Sequence, residues 1–119
     1  MMSNTFKELL YVFIGGGIGS SLRFSTGLMA SYFHLRPWLG TLAVNVIGAI
    51  VMLILSFKYD LSNDSSRLLK TGVLGGLTTF STFSLEVVGA FKSGNTAEGI
   101  SILLLNIFLG VVVGIWIFR

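Results

Sequence analysis

The side chains that could handle an ion are concentrated in the middle of the third hydrophobic segment. Between Gly75 and Ser84 the chain places five hydroxyl side chains and two phenylalanines within a run that also begins with paired glycines. A helix that faces lipid at this depth would consist of Leu, Ile and Val, so polar groups here indicate an internal surface. The stretch reads Gly75-Gly76-Leu77-Thr78-Thr79-Phe80-Ser81-Thr82-Phe83-Ser84.

The same stretch predicts a local break in its helix. Glycine has high backbone entropy, and threonine hydroxyls compete for backbone hydrogen bonds, so Gly75 and Gly76 followed by Thr78 and Thr79 disfavour a continuous helix. Such a break is tolerated at membrane depth only where protein buries it or water lines it, and the carbonyls that it frees can bind a cation.

After the break, helical spacing places an aromatic stripe beside a polar one. The stripes contain Phe80, Phe83, Ser84 and Val87, with Thr79, Thr82 and Glu86 beside them. Ordinary ring packing, with hydroxyls bonded to the preceding turn, is the simpler interpretation of any one of these residues. Five hydroxyls in seven residues make that interpretation difficult for the whole set. Glu86 is either solvated at the membrane interface or paired with a cation of another helix.

Three further polar residues lie within apolar segments, and each has two interpretations. Arg23, which costs about 2.5 to 3.5 kcal/mol at a bilayer centre, either extends to the nearby interface or forms a fixed positive charge at the mouth of an anion path. Asn45 either makes an interhelical hydrogen bond or donates into a pore. Asn106 either belongs to the packing surface that we expect of most of its segment, where Ile102 faces lipid, or contributes to a pore.

Composition places these residues in a membrane protein. The chain is 53% hydrophobic and 11% charged, whereas soluble domains are about 25% charged. Uncharged runs at residues 38–57 and 99–118 are long enough to cross a hydrocarbon core of about 30 Å. We predict one all-α domain over residues 1–119, with four transmembrane helices at about 5–33, 38–58, 68–92 and 96–118.

Other classes of site find little support. The chain has no cysteine, one histidine and no carboxylate pair at catalytic spacing, so we predict no enzyme. The glycines from Gly15 to Gly19 lack the strand that a dinucleotide site needs, and Gly15 with Gly19 predicts close helix packing instead, as do Gly110 and Gly114.

Charge in the connectors leaves the membrane orientation open. If four helices cross, one side holds five basic residues and the other holds Arg36 and Lys92. The positive-inside rule places the larger group in the cytoplasm, although the difference is small. The five are Lys7, Lys58, Arg67, Lys70 and Arg119.

Three motifs together resemble the Fluc/CrcB family of small fluoride channels, over essentially the whole chain. They are Gly15-Gly16 with Gly19 and Arg23, then Gly40-Thr41-Leu42 with Val44-Asn45 and Gly48, and finally Gly75 to Glu86, which is the most specific. The resemblance implies an antiparallel, dual-topology homodimer in the cell inner membrane. Two narrow pores would lower cytoplasmic fluoride by passive electrodiffusion, with fluoride and lipid as partners and no nucleic acid.

The resemblance also implies roles for particular residues. Arg23 would concentrate anions at a vestibule, and a structural Na⁺ would bind the backbone carbonyls of Gly75 and Thr78 at the dimer interface. The chain departs from the family in its fourth helix, where Asn106, Gly110 and Gly114 replace a track of hydroxyl or aromatic polar groups. The implied pore residues are Phe80, Phe83, Asn45, Ser81, Thr82, Thr79 and Asn106.

Two alternatives to a fluoride channel have specific weaknesses. A small multidrug or cation exporter would need an acidic residue in the middle of its first helix, where this chain has Arg23 and no acid after Glu8. A non-conducting membrane scaffold needs only glycine faces, and it leaves Arg23, Asn45 and the hydroxyl cluster without a role. Paralogous subunits could also form a heterodimer, but one chain that keeps Arg23, Asn45 and both phenylalanines favours a homodimer.

Overall fold

Four long helices make up the computed structural model, which describes residues 3–119; residues 1 and 2 of the predicted domain lie outside this range. They are α1 (Asn4–Tyr32), α2 (Pro37–Phe57), α3 (Asn63–Lys92) and α4 (Thr96–Phe118). No strand occurs among residues 3–119, which confirms the all-α prediction. By length and composition, α2, α3 and α4 are each able to cross a membrane.

The helix ends follow local chemistry. Ser3 begins α1 by accepting a hydrogen bond from the Phe6 N–H, and Pro37 occupies the first turn of α2, where its missing N–H has no cost. The α3 helix begins at Asn63, earlier than the predicted residue 68, because the Ser62 hydroxyl caps it by accepting from the Ser65 N–H. The connector between α2 and α3 therefore comprises only residues 58–62.

The third helix is interrupted at Thr78 and Thr79, which separates residues 63–77 (α3a) from Phe80–Lys92 (α3b). Both threonines have extended backbone, with φ −81° and ψ 151° at Thr78 and φ −147° and ψ 113° at Thr79. Gly75 stays helical, with φ −62° and ψ −37°, and so does Gly76. The break therefore lies at the threonines that follow the glycines, where the Thr79 hydroxyl can cap the new helix by accepting from the Thr82 N–H.

Gly72 and Gly76, but not Gly75, bring α3a into backbone contact with α1. A Cβ added to Gly76 would lie 2.6 Å from the Gly16 carbonyl oxygen, and one added to Gly72 would lie 2.8 Å from the Gly15 Cα. Added Cβ atoms on Gly15 and Gly19 would overlap the carbonyl oxygens of Leu68 and Val73. Small residues permit this approach, which gives dispersion contacts between backbones in the absence of a hydrophobic drive.

The helix ends are joined at both ends of the bundle. At one end, Lys7 Nζ lies 2.7 Å from Asp64 and Arg67 Nε lies 3.6 Å from Glu8, which joins the start of α1 to the start of α3. At the other end, Arg36 Nη1 lies 3.0 Å from Glu98. The α1–α2 and α3–α4 turns, which contain the positive-φ residues His34 and Gly94, therefore lie together.

The fourth helix differs from expectation at one position. Ile102, expected to face lipid, is only 2% exposed, because α4 packs there against both α2 and α3b. The two glycines of α4 also differ from each other. A Cβ on Gly114 would overlap the Leu53 side chain, whereas one on Gly110 would make only an ordinary contact of 3.9 Å with Ala49. Gly114 is therefore a packing position, and Gly110 borders open space.

We expect Gly19→Ala to destabilise the protein, because the added methyl would overlap the Val73 carbonyl and force α1 away from α3a. Overpacking of this kind costs about 1–3 kcal/mol, which would lower the thermal unfolding midpoint in detergent. Gly17→Ala is the matched control, since a Cβ there meets nothing within 4 Å. Equal midpoints for the two variants would contradict backbone contact at Gly19.

Candidate functional site

Asn45 of α2 occupies the break in α3. Its Oδ1 accepts from the Thr79 N–H at 2.7 Å, and its Nδ2 donates to the Thr79 carbonyl at 3.2 Å. Nδ2 also donates to Asn106 Oδ1 at 3.0 Å, while Asn106 Nδ2 donates to the Ile102 carbonyl at 2.8 Å. Asn45 therefore supplies the hydrogen bonds that the interrupted helix lacks, and Asn106 fixes the orientation of its amide.

The hydroxyls after the break form a short chain. Thr79 Oγ1 accepts from the Thr82 N–H at 3.1 Å and donates to Thr82 Oγ1 at 3.1 Å, and Ser81 Oγ lies 3.3 Å from Thr79 Oγ1. Thr78 Oγ1 instead donates to the Leu74 carbonyl at 2.9 Å. Capping and bonding to the preceding turn thus explain Thr78 and part of Thr79, whereas the Thr79–Thr82 pair joins side chain to side chain.

The two phenylalanine rings lie beside an open cavity of about 400 Å³. Their centroids are 5.6 Å apart and their planes are inclined by 53°. Phe83 is buried, but Phe80 is 79% exposed. The cavity is otherwise mainly apolar, and its polar lining comes from Asn45, Thr78, Thr79 and Asn106. The structure thus brings together six of the predicted site residues, and it leaves one ring without a packing partner on its outer side.

A second cavity of about 280 Å³ contains the predicted vestibule residue. Arg23 lines it together with Thr82 and Glu86, and Arg23 Nε donates to the Gly76 carbonyl at 3.1 Å, at the end of α3a. The arginine thus satisfies a carbonyl freed by the break and lies at the negative end of a helix dipole. Arg23 lies outside the lining of the first cavity, so the predicted pore and vestibule residues divide between two compartments, and Ser81 lines neither of them.

The Thr79–Thr82 hydroxyl pair lies between the two compartments. Thr79 lines the first cavity, Thr82 lines the second, and their oxygens are hydrogen-bonded at 3.1 Å. This hydroxyl bridge, as we call the pair, gives a polar connection along the first turn of α3b. Hydroxyls can both donate and accept, so the bridge can exchange its internal hydrogen bond for one to an anion.

The carboxyl group of Glu86 in the second cavity was only partly anticipated. One oxygen accepts from the Thr41 hydroxyl at 2.6 Å, and the other is buried without a partner among residues 3–119. Sequence reasoning expected interfacial solvation or a cation for Glu86, and the structure gives it a hydroxyl partner. The spacing on α2 indicates this contact, since Thr41 lies one helical turn before Asn45 and therefore faces α3 as Asn45 does.

We expect Asn45→Leu to destabilise the protein more than Asn106→Leu. The first change removes both hydrogen bonds to the Thr79 backbone, leaving buried polar groups that each cost about 1–3 kcal/mol. The second removes the Asn106 bonds to Asn45 and to the Ile102 carbonyl but leaves the Thr79 backbone paired. Thermal unfolding midpoints in the same detergent measure the difference. A smaller effect for Asn45→Leu than for Asn106→Leu would contradict its role at the break.

Comparison with known proteins matches nearly the whole chain to one family. Residues 10–117 match the family described as CrcB-like protein, Camphor Resistance (CrcB). A protein of Pectobacterium atrosepticum is 45% identical over 104 residues, which cover 83% of this chain and 82% of the relative. One of Hyphomonas neptunium is 42% identical, with 92% and 94% covered, and one of Allorhizobium ampelinum is 36% identical, with 94% and 99% covered. All three relatives carry the name Fluoride-specific ion channel FluC. The chain therefore belongs to the CrcB family.

Proposed function

We propose that this protein is a fluoride-selective ion channel of the cell inner membrane that lowers cytoplasmic fluoride by passive electrodiffusion. Its relatives bear the name of that function, and three helices suit a multi-pass membrane protein. The observation that carries the proposal for this chain is the hydroxyl bridge, which joins an arginine-lined cavity to an aromatic one. An anion that enters beside Arg23 meets donors along this route.

The chemistry of the route suits a small anion. Fluoride is strongly hydrated, so a pore must replace its water with several donors, each binding weakly enough to release it. The Ser81 and Thr82 hydroxyls lie 3.3 and 3.1 Å from the Thr79 hydroxyl, and all three can turn from these contacts toward an ion. The Phe80 and Phe83 rings present positive edges that stabilise an anion weakly and exclude bulk water.

The hydrogen bonds suggest indirect roles for the two asparagines. Both hydrogens of Asn45 Nδ2 already have partners, at the Thr79 carbonyl and Asn106 Oδ1. In this arrangement Asn45 acts on the ion path by fixing the backbone of Thr79, and Asn106 acts by fixing Asn45. Direct donation by Asn45 would require one of these hydrogen bonds to exchange for one to the ion.

We also propose that four helices cross the membrane and that two antiparallel copies form the channel. Phe80 is 79% exposed beside an open cavity, so a single chain leaves the aromatic site unfinished at membrane depth. A second copy would supply the missing wall and would give two equivalent paths in a two-fold dimer. The modest difference in basic residues between the two ends of the bundle is compatible with insertion in both orientations.

The backbone at the break fits the structural Na⁺ that the family resemblance implies. In a continuous helix the Thr79 N–H would donate to the Gly75 carbonyl, but here it donates to Asn45. The Gly75 carbonyl is thereby freed, and Thr78 is extended. Freed carbonyls of broken membrane helices are suitable ligands for Na⁺. We propose that Gly75 and Thr78 bind Na⁺ through these oxygens at the dimer interface, where the ion would neutralise their partial negative charge.

We expect liposomes containing only this protein to release fluoride rapidly, with little release of chloride. Phe80→Ile and Phe83→Ile should each slow fluoride release by at least about tenfold, because an aliphatic side chain has no positive ring edge. A fluoride electrode measures the rate. Phe13→Ile is the matched control, since Phe13 lies on α1 and is 78% exposed. Absence of fluoride release from the folded wild-type protein would contradict the proposed function, whereas proton-coupled uptake of an aromatic cation would indicate an exporter.

We expect Na⁺ to raise the thermal unfolding midpoint of the purified protein in a saturable manner, because a ligand that binds only the folded state stabilises it. Titration with Na⁺ at constant ionic strength, with N-methylglucamine as the replacing cation, separates binding from charge screening. K⁺ provides a second comparison. A midpoint that is independent of Na⁺ concentration would contradict the Na⁺ site and would leave the fluoride proposal intact.

A further inference from the structure

The carboxylate of Glu98 collects donors from both turns at one end of the bundle. Arg36 Nη1 donates to its two oxygens at 3.1 and 3.0 Å, Trp38 Nε1 donates to Oε1 at 2.7 Å, and Asn95 Nδ2 donates to Oε2 at 2.6 Å. The Glu98 side chain is 17% exposed, whereas that of Arg36 is 64% exposed. We call these four residues the Glu98 cluster. The acid is largely enclosed, and its cationic partner faces water.

Part of this arrangement has a local structural explanation. Asn95 is the cap residue of α4 and Glu98 lies in the first turn, where a carboxylate interacts favourably with the helix dipole. Arg36 caps α2 and Trp38 follows Pro37 in its first turn. A helix start, however, requires only Glu98 and Asn95. It gives no reason for an arginine and an indole from another turn to converge on the same two oxygens.

The Glu98 cluster lies next to the proposed anion vestibule. A cavity of about 240 Å³ is lined by Arg36, Glu98, Pro37 and Glu86. Pro37 and Glu86 also line the cavity that contains Arg23, so the two spaces are neighbours. A bare carboxylate at this position would repel anions that approach Arg23, because charges at a cleft alter the local concentration of ions over about a Debye length of 8 to 10 Å.

We infer that Arg36 is a positioning residue for anion entry. Its positive charge offsets the negative charge of Glu98, so the mouth of the vestibule remains favourable to anions. This inference rests on the proposed channel function. Apart from Arg23, the other titratable groups toward this end of the bundle are Glu86, which accepts a hydrogen bond from Thr41, and the exposed residues Tyr32, His34 and Lys92. Trp38 and Asn95 hold the carboxylate where Arg36 can reach both of its oxygens.

The test compares fluoride release from liposomes at about 20 mM and about 300 mM ionic strength. Arg36→Gln leaves Glu98 without its cation, and we expect release about threefold slower than wild type at low ionic strength, with most of the loss removed at high ionic strength. Arg36→Lys retains the charge and should behave as wild type. The double variant Arg36→Gln/Glu98→Gln restores the net charge of the mouth and should recover the wild-type rate.

Lys92→Gln is the matched control, because it removes one positive charge from the same end of the bundle without touching the Glu98 cluster. Equal slowing by Lys92→Gln and Arg36→Gln would overturn the inference in favour of a general effect of net charge. A double variant as slow as Arg36→Gln, or slowing that is independent of ionic strength, would instead indicate a purely structural brace. Thermal midpoints measured in parallel identify variants that fold poorly. Every variant is compared with wild-type protein that releases fluoride. Failure of this inference is therefore distinguishable from failure of the channel proposal.

Discussion

The rest of the structure depends on how the backbone at Thr78 and Thr79 satisfies its hydrogen bonds. A broken helix at membrane depth exposes N–H and C=O groups that hydrocarbon cannot satisfy. Asn45 resolves this by binding both backbone groups of Thr79 with one side chain. On the other side of the break, Arg23 binds the Gly76 carbonyl. Two polar residues that appear isolated in separate apolar segments therefore support the same discontinuity from opposite sides.

Glycine makes this support possible. The α1 helix reaches α3a through backbone contacts at Gly15, Gly19 and Gly76, which bring Arg23 within hydrogen-bonding distance of the break. A larger residue at these positions would separate the helices and withdraw the guanidinium from its carbonyl. Gly72 and Gly76 of α3a thus contribute through close approach to α1, and the threonines supply the change in backbone direction. Helix packing at Gly76 and the interruption at Thr78 and Thr79 therefore involve different residues within four positions of the chain.

The two cavities on either side of the hydroxyl bridge divide the chemistry of the site. The Arg23 cavity combines charged side chains, while the other combines aromatic rings with amides. Glu86 and Glu98 show that acids near a proposed anion path are each given donors, from Thr41 in one case and from Arg36, Trp38 and Asn95 in the other. The exposed Phe80 ring shows where a single chain leaves the arrangement open.

The sequence by itself determined the apolar helices, the interruption in the third, and the set of polar residues from which a site must be built, because hydrocarbon length and the cost of buried charge act on local composition. The resemblance of the third motif to the Fluc/CrcB family implied that the ion is fluoride. Only the tertiary structure decided that the break falls on Thr78 and Thr79, that Asn45 binds Thr79, that Arg23 lies in a separate cavity, and that Ile102 is buried. Those outcomes depend on which helix faces meet, because spacing along one helix shows which residues share a face but not which residues of another helix that face contacts.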